Sequence, residues 1–522
     1  MLFFDFLKRF YYAAVSSPTP RKRDDAIRIG LLGASSIAPL AIILPALSHP
    51  EVIVAAVAAR DPERARQYAE KYSIPIVHNT YQGEILHNWL ELDGAWLVLM
   101  HVSELLSDPA IDAVYIALPN SLHFEWALRS IQARKHVLLE KPSCSNADEA
   151  KSLFRHPLVT APNAPVLLEA FHYQFHPAWQ AFLYQINHLP WGATVEHVYS
   201  QQYLPKGYLE MDDIRFHYGL SGGCLMDLAT YPLSCVRQVL GRGEHLNPIE
   251  ALHRPLPVAS DGYQPEPQID AAIKATYATD SDKTAEIRGD LLFGGGFSFL
   301  PAAWSHSLPS FRWPKTEART GEMLLNGLND EVRHFVRRKI TLWNHLIPTV
   351  YHRIDICDTH TLRRGEEVVK TWDVMEYAKA YNWPAGDVRA QTYQEWWTTW
   401  RCQLEEFVNR IKGRAGSGVW IDGEESIAQM EAIDDTYAQA GLLTRPTSAF
   451  EVAIDRDPGT NSLRPAYYYK LSIETYQLPF AVSGMDPARA VRVVPSAPIG
   501  VGQPTADHAT SGFRPREANS PL

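Results

Sequence analysis

Residues 27–38, IRIGLLGASSIA, decide the fold. Ile27 to Leu32 form a short apolar run that reads as a buried strand, Gly33 follows at once, and an apolar helical stretch begins near Ala38. A strand, tight turn and helix in that order is what a dinucleotide requires: Gly33 permits the turn and Ala38 lets helix pack closely on strand. Amides at the helix start would cradle the pyrophosphate. The middle glycine of the G-x-G-x-x-G pattern is Ser35 here, which narrows the room for backbone approach but can add a hydroxyl contact. Pro39 suits a first helical turn, whereas Pro45 in the helix interior predicts a kink or break before it. The fingerprint alone does not separate a dinucleotide site from a plain glycine turn, so its surroundings must decide.

The surroundings support it. A second apolar strand, Val52 to Ala58, runs into Arg60-Asp61-Pro62-Glu63-Arg64, where Asp61 reads as an N-cap and Pro62 as the first helical residue. An acidic side chain near the end of this strand would bind the ribose 2′-hydroxyl of NAD, and arginine would accommodate a 2′-phosphate. Arg60 and Arg64, one helical turn apart, favour NADP over NAD. The competing reading leaves both as solvated charges and gives the ribose to Asp61. Strand Ile111–Leu118, helix Ser121–Ala133, strand His136–Glu140, a helix from Asn146 and strand Val166–Glu169 continue the alternation, which predicts a parallel, doubly wound sheet.

Candidate chemistry comes from Glu140-Lys141-Pro142 taken with Asp227-x-x-x-Tyr231. Tyrosine is a poor base at neutral pH unless a fixed cation stabilises its phenolate, and Lys141 could be that cation. The lysine closes an apolar strand, and open α/β sheets bind ligands at the carboxyl ends of their strands. Asp227 lies four residues before Tyr231, so on a helix the two share a face and Asp227 could orient substrate or lysine. Gly222-Gly223 would let that helix start approach a cofactor closely. A plainer reading leaves Tyr231 as a half-buried helix residue and Lys141 as a loop charge.

GLLGASSIA (residues 30–38), AARDPERA (58–65), ALPNSLH (117–123), KHVLLEKP (135–142), EAFHYQFHP (169–177), GGCLMDLATYP (222–232) and the late YAQAGLLTRP together resemble the glucose-fructose oxidoreductase, inositol dehydrogenase and MocA family, especially its dimeric dihydrodiol dehydrogenases and fungal NADP-dependent D-xylose dehydrogenases. The resemblance runs with interruptions from Ile27 to Arg445. It implies a Rossmann domain followed by an α/β domain with a large open, mostly antiparallel sheet. It further implies that Lys141 and Tyr231 are catalytic with Asp227 beside them, and that Gly33, Ser35, Ser36 and Ile37 hold the pyrophosphate. Arg60 and Arg64 would take the 2′-phosphate, Leu118, Asn120 and His123 the nicotinamide side, and Glu140 the nicotinamide ribose. Pro142, often cis in the family, would aim the lysine. Gln174 stands where relatives commonly have arginine at a cofactor or substrate contact. His172 occupies an often aromatic position and is a candidate substrate contact.

The expected organisation is an N-terminal apolar segment and linker (1–26), a Rossmann domain (27–170) with an atypical insertion at 83–102, a substrate and dimerisation domain (171–450) and an extended, largely disordered tail (451–522). The insertion, GEILHNWLELDGAWLVLMHV, is either a hydrophobic excursion over the sheet edge or translated intron. In the second domain, helix Ala178–His188, a turn at Trp191-Gly192, and strands Thr194–Tyr203, Ala271–Tyr277, Thr284–Phe293, Glu331–Leu342 and Val350–Asp355 are expected, then helices Tyr393–Lys412 and Glu424–Ala440 with Gly441 as C-cap. Trp396, Trp397 and Trp400 read as core or interface, and Leu471–Phe480 as strand or extended chain.

The 522 residues carry a net charge of −10, which argues against a nucleic-acid surface, and five scattered cysteines, which suit a reducing, cytoplasmic setting. The leading MLFFDFLKRFYYAAV is too short to span a bilayer and lacks the basic start of a signal peptide. Its stripe of Leu2, Phe3, Phe6, Leu7 and Phe10 is expected to dock on its own protein, and the RKR that follows to be a solvated charge run. No metal site is expected: Glu169, His172 and His176 could suggest a metal hydrolase, but Pro177 disfavours one helix carrying both histidines. The function expected is hydride transfer between a sugar or diol carbinol and nicotinamide by a homodimeric enzyme. The alternative is a catalytically silent NAD(P)-binding regulator of the same fold.

Overall fold

Ile27–Leu32 (β1) occupies the middle of a six-stranded sheet because it is apolar on both faces and so can be covered by helices on each side. In the computed structural model, which describes residues 2–78, 104–257, 266–295, 304, 308–327, 331–456 and 463–469, the other strands of that sheet are β2 (Val52–Ala58), β3 (Ile76–His78), β4 (Ala113–Ile116), β5 (His136–Leu139) and β6 (Leu167–Glu169). Every pairing is parallel and the order is β3-β2-β1-β4-β5-β6. Strand order reverses between β1 and β4, so the carboxyl ends of those strands flank the crevice where such sheets bind ligands.

The second sheet has nine strands: β7 (Val195–Pro205), β8 (Asn247–Pro255), β9 (Asp270–Ala278), β10 (Thr284–Phe293), β11 (Lys315–Thr320), β12 (Met323–Gly327), β13 (Val332–Trp343), β14 (Arg353–Arg364) and β15 (Glu367–Ala378). Its order is β15-β14-β13-β11-β7-β10-β9-β8 with β12 paired to β13, and only β7 with β10 is parallel. Helix Thr230–Leu240 lies against β7 and β10 and buries Leu233, Val236 and Leu240, so the sheet positions the stretch that carries Tyr231. Helix Gly423–Gln439 packs against both this helix and helix Ala147–Phe154 of the first domain.

Several expectations are corrected. Strands β3, β8, β11, β12 and β15 were not foreseen, and β14 runs nine residues beyond the expected Asp355. The helix expected from Tyr393 starts at Thr399, because the Thr398 hydroxyl accepts the Arg401 amide and caps it there, while Tyr393 is turned to Glu406. The irregularity expected before Pro45 takes the form of a wider π-turn at Pro39–Ile43, which leads into Leu44–Leu47, where a proline in the first turn has no hydrogen bond to lose. Leu2–Phe10 is a helix, but it is anchored by buried Arg9 over the Tyr381 ring and by Tyr12 against Trp396, with Leu7 and Phe10 left exposed. Within RKR, Lys22 is no solvated charge. Its ammonium donates to the carbonyls of Ala46, Leu47 and His49, and burial, aided by Arg401, pulls its pKa to about 8.

In the expected tail, β16 (Phe450–Arg456) pairs antiparallel with β17 (Leu463–Tyr469). The insertion at 83–102 and the stretch Leu471–Phe480 lie outside the described residues. All five cysteines are buried and unpaired.

Glu169, at the end of β6, supports the loop after β5: one carboxylate oxygen accepts the Ser143 amide at 2.8 Å. Burial pushes its pKa to about 7, against the opposing pull of Ser426, Ser143 and Arg237. The folded chain therefore holds this proton more tightly than the unfolded chain, so stability falls as pH rises between the ordinary 4.5 and about 7. Glu169→Gln keeps the acceptor and removes the ionisation. Its unfolding free energy is expected to match that of the native chain near the acid end of this window and to exceed it increasingly above, by ~3 kcal/mol at most. A pH-independent difference in calorimetry would contradict this.

Candidate active site

Lys141 leaves the carboxyl end of β5 on a loop fixed at every step. The Glu140 amide donates to the Ile116 carbonyl at 3.0 Å, the Lys141–Pro142 peptide is cis, and the Pro142 carbonyl meets His123 Nδ1 at 2.8 Å. From there Lys141 Nζ donates to the Asp227 carbonyl at 2.6 Å and to Asp227 Oδ1 at 3.0 Å, and stands 4.8 Å over the Tyr231 ring. Residues 86 positions apart thus converge. Asp227 and Tyr231 do not share one helix: a turn at Cys224–Asp227 ends before Thr230–Leu240 begins, yet both reach Lys141.

Further charges surround the lysine. Asp227 Oδ2 accepts Arg215 Nε at 2.7 Å, and Arg215 also pairs with Asp213. Burial works against the Asp227 carboxylate, but the Arg215 guanidinium and Lys141 ammonium outweigh it and hold its pKa well below the usual range. Lys141 is thereby held against a carboxylate and lies on the face of the Tyr231 ring. Burial raises the phenol pKa well above its ordinary value, and the Glu140 and Asp227 carboxylates add to this. Tyr231 rests as a phenol, and its hydroxyl meets His172 Nε2 at 3.0 Å. Glu140, itself raised by burial, accepts Tyr115 Oη at 2.7 Å.

At the opposite end of the crevice, Gly33 has φ +100°, and a Cβ there would press on Leu118 Cδ2 at 3.0 Å and the Ala117 carbonyl at 3.3 Å. The amides of Ala34, Ser35, Ser36 and Ile37 find no acceptor among the described residues, which leaves four consecutive donors free for an anion. Ser35 Oγ accepts the Ala38 amide, and the Ser35 carbonyl is held by Tyr68 Oη. Arg64 reaches back to the Ala34 carbonyl at 3.0 Å, and exposed Arg60 has no ion pair among the described residues. The Asp61 carboxylate is occupied in capping the amides of Glu63 and Arg64, which counts against its reading as a ribose ligand.

Other expected contacts are turned elsewhere. Gln174 is buried against Ser234 at 3.3 Å, and His123, fully buried, sits between the carbonyls of Leu118 and Pro142, so both act in the scaffold. Asn120 donates to the Ser221 carbonyl at 3.0 Å, tying the domains together. His172 has both nitrogens engaged, by Tyr231 and by Thr399, and only 1% of its surface is exposed, so it is not placed as a direct substrate contact. His176 caps helix Pro177–Asn187 through Nδ1, and no cluster of three or more potential metal ligands occurs among the described residues. Gly222 and Gly223 do not face the crevice. Side chains there would strike the Arg215 and His217 carbonyls and the buried Arg445–Asp270 pair. Arg215, Thr399 and Arg445 went unnoticed in the sequence because each reaches its partner across irregular chain, and Tyr115 because it reads as one more core residue of its strand. Only the late YAQAGLLTRP motif hinted at Arg445, which donates to the Gly222 carbonyl at 2.7 Å.

Residues 27–157 match the GFO_IDH_MocA model, an oxidoreductase family with an NAD-binding Rossmann fold. Over these residues the chain is similar to this family. A D-xylose 1-dehydrogenase (NADP(+)) of Haloferax volcanii is 34% identical over 214 residues, 41% of this chain and 57% of that protein. A trans-1,2-dihydrobenzene-1,2-diol dehydrogenase of Mus musculus is 26% identical over 235 residues, 44% and 61% respectively. The chain thus spans less than two thirds of the length of these relatives. Across both domains the fold is similar to that of a 3-ketoreductase from Actinomadura kijaniata, solved with NADP and TDP-benzene, at a TM-score of 0.50 and 19% identity, covering 78% of this chain and 96% of that one.

Asp227→Asn leaves the Lys141 and Arg215 cations facing a neutral amide. It is expected to cost about 3 kcal/mol in urea unfolding at neutral pH. Because the folded carboxylate titrates below its ordinary 3.8, the cost should persist to that pH and shrink only beneath it. A loss under ~0.5 kcal/mol would mean that the ion pair does not hold the site together.

Proposed function

We propose that this chain is an NADP-dependent oxidoreductase acting on a sugar or diol carbinol, of the D-xylose 1-dehydrogenase or trans-dihydrodiol dehydrogenase type. One observation carries the reading: Lys141, Asp227 and Tyr231 converge at the carboxyl ends of β4 and β5, in the same crevice as the free amides of residues 34–37. The relatives' names, which include NADP(+), D-xylose and a dihydrodiol, support the cofactor and the substrate class.

Bound NADP would supply the hydride acceptor or donor. Ala34 to Ile37 would bind its pyrophosphate through their amides, and Arg60 and Arg64, exposed beyond β2, its 2′-phosphate. Tyr231 exchanges a proton with the substrate oxygen through Oη, a contribution typically worth ~10²–10⁴-fold. The Lys141 ammonium above the ring favours the phenolate, and Asp227 keeps that ammonium in place. Because Tyr231 rests protonated, the cofactor-free site is set as a proton donor, which suits carbonyl reduction.

The same reading takes the enzyme as a homodimer in a reducing cytoplasm. Edge strand β15 turns Val368, Val374 and Tyr377 outward with more than 40% of each exposed, and the five thiols are all unpaired.

Following NADPH absorbance across pentoses, hexoses and trans-diols tests the function, and consumption of cofactor with at least one class is expected. Tyr231→Phe should abolish turnover while NADPH still binds, as read by fluorescence titration. Retained turnover would remove the tyrosine from its role. Arg60→Ala with Arg64→Ala should weaken NADPH at least tenfold and leave NADH nearly unchanged, since two charge-assisted contacts are lost only from the former. Equal losses for both would contradict the assignment of the arginines.

A further inference from the structure

Tyr231 Oη has a hydrogen-bond partner that the lysine does not provide. His172 Nε2 lies 3.0 Å from it and His172 Nδ1 lies 2.7 Å from Thr399 Oγ1, all three side chains being buried. Burial, with Lys141 and His345 nearby, pushes the imidazole pKa well below its ordinary 6.5, so the ring is neutral and offers one donor and one acceptor. Thr399 decides which is which. Among the described residues its hydroxyl has no hydrogen-bond partner except His172 Nδ1. A proton on Nδ1 would leave the Thr399 hydroxyl a buried donor without an acceptor, and that carries the full desolvation penalty. With Nδ1 bare, the threonine donates to it, Nε2–H donates to Tyr231 Oη, and the phenol proton is left for a substrate oxygen.

We infer that His172, locked by Thr399 as the Nε2–H tautomer, is a positioning residue that stabilises the Tyr231 phenolate by donating a hydrogen bond to Oη. The inference rests on the proposal that Tyr231 is the acid and base. Reduction would then run as hydride delivered from NADPH to the carbonyl carbon and proton from Tyr231 to its oxygen. The products are carbinol, NADP⁺ and a phenolate held by Nε2–H, which water reprotonates. Oxidation is the reverse.

The ring is clamped for this task. Trp400 lies 4.3 Å from the imidazole centroid at 31°, and Thr399 and Trp400 open helix Thr399–Ile411, whose first turn Thr398 caps. The charged and titratable groups facing the pair are Lys141, Asp227, Glu140 and Arg215 around Tyr231, with Tyr173 packed on its ring, and Lys141 and His345 around His172. Of these, only His172 is hydrogen-bonded to the phenol oxygen among the described residues.

Two measurements test this. In the cofactor-free protein, nitrogen NMR of labelled histidine, with His172→Gln used to assign the signal, should show Nε2 protonated and Nδ1 bare. Thr399→Val should mix the tautomers. In the enzyme with NADP, His172→Phe should move the limb of the kcat profile for carbinol oxidation to higher pH by roughly one to two units, the worth of a hydrogen bond to a charged group. At neutral pH this lowers kcat ~10- to 100-fold with little change in KM, and His172→Gln, which can still donate an N–H, should recover part of the shift.

A proton on Nδ1 in the native chain, or an unmoved pH limb in His172→Phe while Tyr231→Phe is inactive, overturns this inference alone. Turnover retained by Tyr231→Phe overturns it together with the proposed function.

Discussion

The contact between Lys141 Nζ and Asp227 is the constraint on which the rest depends. It joins the loop after a parallel strand of one sheet to the turn before a helix carried by the other. Lys141 makes two bonds there, to a carboxylate and to a backbone carbonyl, so the lysine is located by the chain itself as well as by charge. Removing a lysine and an aspartate from water is costly unless both find partners, and the Arg215–Asp213 pair supplies the remaining ones. Two further polar contacts cross the same junction, Asn120 to the Ser221 carbonyl and Asn146 to the Arg445 carbonyl, and Arg445 in turn donates to the Gly222 carbonyl beside Asp270. Together they fix where Tyr231 sits relative to Gly33.

That arrangement separates two tasks. The crevice floor offers undonated amides and exposed arginines, which suit an anion that arrives from solution. The far wall is buried and nearly fully bonded, which suits a group that must hold its proton until a substrate is present. Burial that raises the phenol pKa would, unaided, make Tyr231 a sluggish base. In the proposed reaction the cation on its ring and the imidazole at its oxygen would offset that burden.

How much was legible from residues alone follows from burial. Strands β1 and β2 end where the apolar runs end, since strands covered on both faces are apolar throughout except for Arg28 near the start of β1. Strand β15 was illegible for the opposite reason: nearly every residue from Glu367 to Tyr377 is exposed, so neither face imposes alternation on the sequence. β8 was masked by Pro248 and by its place at the sheet edge. In the site, Lys141, Asp227 and Tyr231 could be named because each stands in a compact motif. Arg215 and Thr399 could not, since the irregular chain between Pro205 and Gly222 and the late start of the Thr399 helix have no periodic pattern. The contact of Asp227 with the lysine was legible from its place four residues before Tyr231, whereas the second cation on that carboxylate, Arg215, was not.

The most direct test of the account is a crystal structure of the protein with NADP. It predicts pyrophosphate density on the amides of Ala34 to Ile37 and the nicotinamide ring beside the Lys141–Tyr231 pair, with its reactive carbon open to a substrate oxygen at Tyr231 Oη. A dinucleotide bound with its nicotinamide directed away from Tyr231, or held elsewhere on the chain, would contradict it.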